Sequence, residues 1–76
     1  MTLYKKTDKG NVRYYTIDIF ASLFGGYGVE RIYGNINSKS HTGKRINYFS
    51  TYEDGKKFLD KMKSKKERKG YVYGYT

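Results

Sequence analysis

Few residues of this sequence belong to the types that perform acid–base, nucleophilic or metal chemistry. His41 is the only histidine, cysteine is missing, and seven acidic residues are scattered over 76 positions. A zinc site needs three or four clustered ligands, and general acid–base catalysis needs a positioned group with a matched pKa. His41 stands among Ser, Lys, Thr and Gly, so we expect a surface histidine. The sequence therefore predicts no enzyme, no metal site and no cofactor.

A phosphate-binding loop is also excluded, although Gly43-Lys44 has the ending of one. The motif requires Ser or Thr directly after the lysine. It also requires another glycine five positions before the glycine that precedes the lysine. Arg45 and Ser38 occupy those two positions. Nucleoside triphosphate binding through this motif is therefore not expected.

Basic and aromatic residues dominate instead. Sixteen Lys and Arg against seven acidic residues leave a net charge of +9, and there are ten Tyr and four Phe. A strongly positive small domain attracts polyanions, and aromatic faces can stack on bases. We expect at least half of the tyrosines to serve only in the core. The remainder, together with the cations, indicate a nucleic-acid surface.

The cations form two clusters. Lys61–Lys69 holds six basic residues and one acid, whereas Lys39, Lys44 and Arg45 form a second group. The first cluster has two interpretations: phosphate contact, or a solvated helix end that complements the helix dipole. The second flanks the polar segment Asn37–Gly43. Both clusters remain candidates for one contiguous surface.

The glycine-flanked run Tyr27–Ile36 predicts a central strand between these clusters. Alternation puts Val29, Arg31 and Tyr33 on one face. Gly34 removes a side chain from the strand, which often marks close approach by another backbone or a ligand. Arg31 and Tyr33 are thus candidates for the binding surface, with a core position as the alternative for Tyr33.

The remaining segments predict three further strands and one helix. The strands are Thr2–Thr7, Val12–Phe20 and Lys44–Phe49, with a turn at Asp8–Asn11. Ser50 as N-cap and Glu53 as its capping-box partner begin the helix, and Gly70 ends it. Its apolar stripe consists of Tyr52, Gly55, Phe58, Leu59 and Met62. After it, Tyr71, Val72, Tyr73 and Tyr75 either form an edge strand or pack under the helix.

These elements predict an α+β fold in a single domain, residues 1–76. We expect a twisted antiparallel sheet of four to five strands with one amphipathic helix packed across one face. No apolar run approaches the roughly 18 residues that a membrane span requires, and no signal peptide opens the chain. We therefore expect no membrane partner and a cytoplasmic location.

A series of short motifs runs through these elements in order. They are Tyr14-Tyr15, Leu23-Phe24-Gly25-Gly26-Tyr27, Val29-Glu30-Arg31, Tyr33-Gly34-Asn35-Ile36 and Lys66-Glu67-Arg68-Lys69-Gly70-Tyr71. In type and spacing they resemble the WGR domain, in particular its stand-alone bacterial branch. The resemblance covers nearly the whole chain. Of the Trp-Gly-Arg tripeptide that names the family only Gly34 is kept, because Tyr33 replaces Trp and Asn35 replaces Arg.

The resemblance implies a location for binding. In WGR domains of poly(ADP-ribose) polymerases, the motif Trp and Arg lie against a DNA end. By position, Tyr33 would be the stacking residue here and Asn35 a polar contact. Asn cannot supply the charged bidentate fork that Arg offers to phosphate. For stand-alone bacterial members the resemblance implies nucleic-acid binding in general.

We therefore expect a non-catalytic nucleic-acid-binding module, with DNA favoured over RNA. The alternative is a protein–protein interaction module that docks on an acidic partner. A basic face carrying Tyr33 would favour the first, and an exposed aromatic patch without adjacent Lys or Arg would favour the second. The candidate site residues are Arg31, Tyr33, Asn35, Lys39, Lys44, Arg45, Lys65, Lys66, Arg68 and Lys69.

Overall fold

The computed structural model describes residues 1–36 and 43–73. They form β1 (Thr2–Lys6), β2 (Val12–Ala21), β3 (Tyr27–Asn35), β4 (Gly43–Phe49), α1 (Tyr52–Arg68) and β5 (Val72–Tyr73). The strands make one sheet in the order β4-β3-β2-β1-β5, and every neighbouring pair is antiparallel. The helix packs across one face of this sheet. The predicted α+β architecture is confirmed.

The middle of the sheet belongs to β2 rather than to β3. β3 is an interior strand, paired over nine positions with β2 on one side and over seven positions with β4 on the other. The C-terminal segment adds β5 outside β1, which moves the centre one strand away from β3. The prediction that β3 is the central strand is therefore corrected: β3 is the strand next to the central one, β2.

The core lies between the helix and one face of the sheet. Leu3, Tyr15, Ile17 and Val29 from three strands are fully or almost fully buried there, together with Leu59 of the helix. Gly55 lets the helix approach the sheet closely. A Cβ at that position would lie 2.8 Å from Cδ1 of Ile19.

Four of the five residues predicted for the apolar stripe of the helix face the sheet. Gly55 and Leu59 are buried, and Phe58 and Met62 pack against the core at its margin. Tyr52 is the exception, since 48% of its surface is exposed. It lies at the helix start, where its ring meets the Tyr27 ring edge-on at 5.6 Å.

The helix begins one residue later than predicted. Thr51, not Ser50, is the N-cap, and its hydroxyl accepts the Asp54 N–H at 3.2 Å. The predicted capping box of Ser50 with Glu53 is therefore wrong. Two adjacent hydroxyl residues offer the same local signal. In the structure, where Gly55 and Leu59 are the buried residues of the helix, the N-cap is Thr51.

The helix is terminated by Gly70, as predicted: α1 ends at Arg68, Lys69 is the C-cap, and Gly70 follows it. This glycine has a φ of 99°, its N–H donates to the Glu67 carbonyl at 3.0 Å, and the Tyr71 N–H donates to the Lys66 carbonyl at 3.1 Å. This pair of hydrogen bonds is a Schellman motif. It reverses the chain so that Tyr71 is buried and β5 pairs with β1.

The edge-strand interpretation of the C-terminal segment is thus confirmed for Val72 and Tyr73, while Tyr75 lies outside the described residues. Of the predicted polar segment Asn37–Gly43, only Gly43 is described, and it is the first residue of β4. Lys39 and His41 lie outside the described residues. Among the described residues, no helix is long and apolar enough to cross a membrane.

Candidate nucleic-acid interface

The helix-covered face of the sheet is apolar at one end and basic at the other. Strand register brings Arg31 opposite Arg45, Tyr33 opposite Tyr15, and Asn35 opposite Arg13. The last turns of α1, which are rich in lysine, pass over this part of the face. The elements therefore build a cleft between the sheet and the C-terminal half of the helix.

A cavity of about 250 Å³ opens in this cleft, and we call it the basic cavity. Its described lining residues are Tyr15, Arg31, Tyr33, Arg45, Met62, Lys65, Lys66 and Lys69. Five of them are cationic and none is acidic. The cavity is smaller than the pockets that hold drug-sized ligands, which are roughly 300–1,000 Å³.

Arg31 is held in place on the floor of the cleft. One guanidinium nitrogen, Nη2, donates to Oδ1 of Asn47 at 3.0 Å, and the other, Nη1, contacts Sδ of Met62 at 3.5 Å. The guanidinium also lies over the Phe58 ring, 5.3 Å from its centre. Its Nε is buried and has no hydrogen-bond partner among the described residues. The side chain is thus fixed but retains an unused donor.

Tyr15 is the second buried group with an unused hydrogen-bonding atom. The residue is 2% exposed, and no described residue makes a hydrogen bond of good geometry with its hydroxyl, although the Arg31 side chain lies close enough to interact with it. Burial raises the pKa of the Tyr15 hydroxyl, and the nearby Arg31 opposes this shift only in part. The hydroxyl therefore stays protonated and able to donate.

Lys66 lies where the aromatic and basic residues meet. Its ammonium is 4.7 Å from the centre of the Tyr15 ring and 5.3 Å from that of Tyr71. Burial lowers the pKa of Lys66, and repulsion from Lys69, Lys65, Arg31 and Arg13 lowers it further. An anion in the basic cavity would relieve this repulsion.

Tyr33 separates the basic cavity from a second cavity of about 270 Å³, which we call the Asn35 cavity. Its described lining residues are Arg13, Tyr14, Tyr33, Gly34, Asn35, Lys66 and Tyr71. The Tyr33 ring stacks on Tyr15 with 6.3 Å between centres, and a Cβ at Gly43 would collide with it. Tyr33 is therefore half-buried. Its ring packs on Tyr15 and also forms part of the wall of both cavities.

The structure assembles most of the predicted site. Arg31, Tyr33, Arg45, Lys65, Lys66 and Lys69 meet at the basic cavity, and Asn35 lines the Asn35 cavity beside it. Lys39 lies outside the described residues. The two predicted clusters do share a face, through Arg45 from one and Lys65, Lys66 and Lys69 from the other.

Two predicted residues lie elsewhere. Lys44 points to the opposite face of the sheet from Arg45, because neighbours on a strand alternate, and it pairs with Glu30 at 3.3 Å. Arg68 lines a separate depression on the outer side of the helix, together with Asp60, Lys61, Ser64 and Lys65. Neither lines the basic cavity.

Six residues that line the two cavities were not among the predicted site residues: Arg13, Tyr14, Tyr15, Gly34, Met62 and Tyr71. Arg13 and Tyr15 share a face of β2, which their spacing shows. What the sequence does not show is the register that places Arg13 opposite Asn35 and Tyr15 opposite Tyr33. Tyr71 joins them only because the Schellman motif turns the chain back under the helix end.

The fold and the site together define a small binding module, with one helix on a five-stranded sheet and a basic, tyrosine-lined cleft between them. A family model described as the WGR domain matches residues 1–74. The chain belongs to the WGR domain family, as the resemblance of its motifs predicted. WGR domains are small binding-type domains and are commonly nucleic-acid-binding modules. No curated protein and no solved structure was found to match the chain.

Proposed function

We propose that this protein is a non-catalytic nucleic-acid-binding module that holds a backbone phosphate in the basic cavity. The observation that carries the proposal is a cavity of about 250 Å³ lined by five Lys and Arg side chains and by Tyr15 and Tyr33, with no acidic residue among its described lining. Phosphate oxygens would accept from these Lys and Arg side chains and neutralise their charge.

The mode of binding that follows is contact with the backbone rather than with base edges. Lys and Arg neutralise phosphates without regard to sequence, whereas sequence is read in the grooves or through the shape of the nucleic acid. Tyr33 stands between the two cavities, where its ring can stack on a sugar or base next to the bound phosphate. We propose DNA over RNA because of the family to which the chain belongs.

An acidic protein is the alternative ligand for the same cleft, since carboxylates also accept from Lys and Arg. It differs from nucleic acid in offering no bases or sugars to Tyr33. An acidic polypeptide such as polyglutamate therefore serves as a control polyanion. Equal affinity for polyglutamate and for DNA of the same charge would favour the protein-binding alternative.

The decisive experiment is a titration against duplex, nicked and single-stranded DNA and against RNA, at two salt concentrations. If about four to six phosphates are contacted, the slope of log K against log salt on duplex DNA is about −0.9 per contact. Affinity should depend little on base sequence. Tight binding that is insensitive to salt, or a preference of several kcal/mol for one sequence, would contradict the proposal.

A further inference from the structure

The end of the molecule remote from the basic cavity carries a second exposed surface, which we call the aromatic end. It consists of Phe20, Leu23, Phe24, Tyr27, Tyr48 and Tyr52. Leu23 and Phe24 lie in the turn between β2 and β3, and 97% and 99% of their surfaces are exposed. Leu23 and Phe24 are therefore too exposed to contribute to the core of the domain.

This turn is well defined by hydrogen bonds. The Ser22 N–H donates to the Gly26 carbonyl at 3.0 Å, and the Gly25 N–H donates to the Ser22 carbonyl at 3.2 Å. The Phe24 N–H donates to the Ser22 hydroxyl at 3.3 Å. Gly25 and Gly26 have φ values of 92° and 75°, which other residues rarely adopt. Leu23 and Phe24 are thus presented on an ordered support, which lowers the entropic cost of using them as binding anchors.

Aromatic pairs extend this surface on both faces of the sheet. On the helix side Tyr27 meets Tyr52 edge-on, and on the open side Phe20 meets Tyr48 edge-on with 6.4 Å between ring centres. Tyr48 and Tyr52 are 67% and 48% exposed. Buried aromatic and apolar anchors surrounded by polar groups are the typical energetic centre of a protein–protein interface.

The charge of the aromatic end is opposite to that of the basic cavity. Residues 18–28 and 46–55, which build it, contain Asp18, Glu53 and Asp54 and no Lys or Arg, in a chain with sixteen cations. Asp18 pairs with the N-terminal ammonium of Met1 at 2.6 Å, so the uncompensated charge of these segments comes from Glu53 and Asp54. This negative charge disfavours phosphate-rich ligands, both nucleic acid and anionic membrane surfaces. The observed chemistry fits a partner that is apolar at its centre and basic at its rim.

A second copy of this chain is a poor receptor for Leu23 and Phe24. Its cavity with a basic rim is the basic cavity, and five of the eight described residues that line it are cationic. A phenyl ring inserted there would remove charged groups from water without pairing them, which costs free energy. The acids of the aromatic end match the charge of the basic cavity, but Leu23 and Phe24 do not match its lining.

We infer that the aromatic end is a docking site for a second protein, which receives Leu23 and Phe24 in an apolar pocket rimmed by Lys and Arg. The two ends of the domain then have separate roles. The basic cavity holds one ligand, and the aromatic end connects it to a protein partner. The inference does not depend on what the basic cavity binds.

The test begins with a photoreactive amino acid at position 24, in protein expressed in its native cells. The matched control carries it at position 9, in the exposed β1–β2 turn at the other end of the sheet. A protein adduct specific to position 24 is expected. Adducts only to nucleic acid, lipid or another copy of the chain would overturn the inference, as would the same adducts from both positions or none at position 24.

The captured protein is then purified and titrated with three forms of the domain. Leu23→Ser with Phe24→Ser should raise Kd at least tenfold, whereas Lys66→Ala should leave Kd within twofold of the unmodified domain. The melting temperature of the double variant should not change, because both side chains are exposed. Unchanged affinity of the folded double variant, or equal loss with Lys66→Ala, would overturn the inference. Duplex DNA affinity of the double variant should be unaltered, which separates this outcome from a failure of the proposed function.

Discussion

The pKa of Lys66 depends on the charges around it, so it would change when a ligand enters the basic cavity. Its ammonium is surrounded by Tyr15, Tyr71 and several cations, and burial together with these cations lowers its pKa. Because the folded-state pKa lies below the unfolded one, the unfolded chain binds more protons between the two values. The contribution of Lys66 to stability is therefore unfavourable below the folded-state pKa, and this penalty is lost as pH rises to the ordinary lysine value of about 10.4.

A bound phosphate would favour the charged form of Lys66 and raise its pKa again. We predict that binding of duplex DNA is accompanied by proton uptake at alkaline pH, between the lowered pKa and the unfolded value. Affinity should decline as pH rises through this interval. Calorimetry in two buffers of different ionisation enthalpy measures the uptake. In Lys66→Arg, which stays charged, the uptake should be smaller, and an unchanged uptake would contradict the prediction.

Tyr33 combines packing with exposure to two cavities, so its substitution should affect both stability and binding. We predict that Tyr33→Ala weakens binding to single-stranded DNA by about 1–3 kcal/mol, the usual contribution of a stacked base. It should also lower the melting temperature, because the ring packs on Tyr15 and over Gly43. Tyr33→Trp, which restores the family residue, should retain or improve affinity. If Tyr33→Ala lowers only stability and not the affinity of the folded fraction, the ring is core alone.

Asn35 lies at the point where the family motif has its arginine. Asn35 lines the Asn35 cavity beside Arg13 and Lys66. We predict that Asn35→Arg tightens DNA binding and makes the salt slope steeper by about one, because one phosphate contact is added. Asn35→Gln, of similar length but uncharged, is the control. An unchanged slope in Asn35→Arg would show that the backbone does not pass this position.

Strand β4 has two adjacent cations, Lys44 and Arg45, whose side chains lie on opposite faces of the sheet. Arg45 lines the basic cavity, whereas Lys44 lies on the opposite face and pairs with Glu30. We predict that Arg45→Ala weakens DNA binding and reduces the magnitude of the salt slope by about one. Lys44→Ala removes the same charge from the chain and should change the slope much less. Equal effects would mean that only net charge, and not the cleft, governs binding.

The helix is attached to the sheet by few side chains, so each matters to stability. Phe58 packs against Phe49 at 5.2 Å between ring centres and supports the Arg31 guanidinium. Loss of a fully buried Phe or Leu costs about 2–5 kcal/mol, a large share of the stability of a small domain, and Phe58, which is partly buried at the core margin, should cost an amount near the lower end of this range. We predict that Phe58→Ala lowers the melting temperature sharply, with Tyr52→Ala, at the exposed helix start, as the milder control. A melt unaffected by Phe58→Ala would contradict the packing described above.

The molecule is 42 Å long, and its two ends differ in charge and in residue type. The helix dipole and charge pattern agree with this division, since Glu53 and Asp54 occupy the first turn of α1 and Lys65, Lys66 and Arg68 the last. The small core joins the two ends through Ile17, Val29 and Leu59. A nucleic acid bound at one end would leave the other end free for a protein.

Much of this fold was accessible from the sequence. Period-two alternation in β2, β3 and β4 predicted the strands, and the apolar stripe and Gly70 predicted the helix and its end. These signals depend on residues close together in the chain, where sterics and hydrogen bonding act locally. The five cations of the basic cavity were among the candidate residues for the same reason, since charge and residue type are visible without coordinates, whereas Arg13 of the Asn35 cavity was not.

Which of those cations lie together follows only from the three-dimensional packing of the chain. Strand register places Arg13 beside Asn35 and Tyr15 beside Tyr33, and alternation at the sheet edge turns Lys44 away from Arg45. Register and helix position result from contacts between residues that are distant in the sequence, so no local pattern contains them. The same is true of the unused atoms Tyr15 Oη and Arg31 Nε, because burial is a property of the assembled core rather than of either residue.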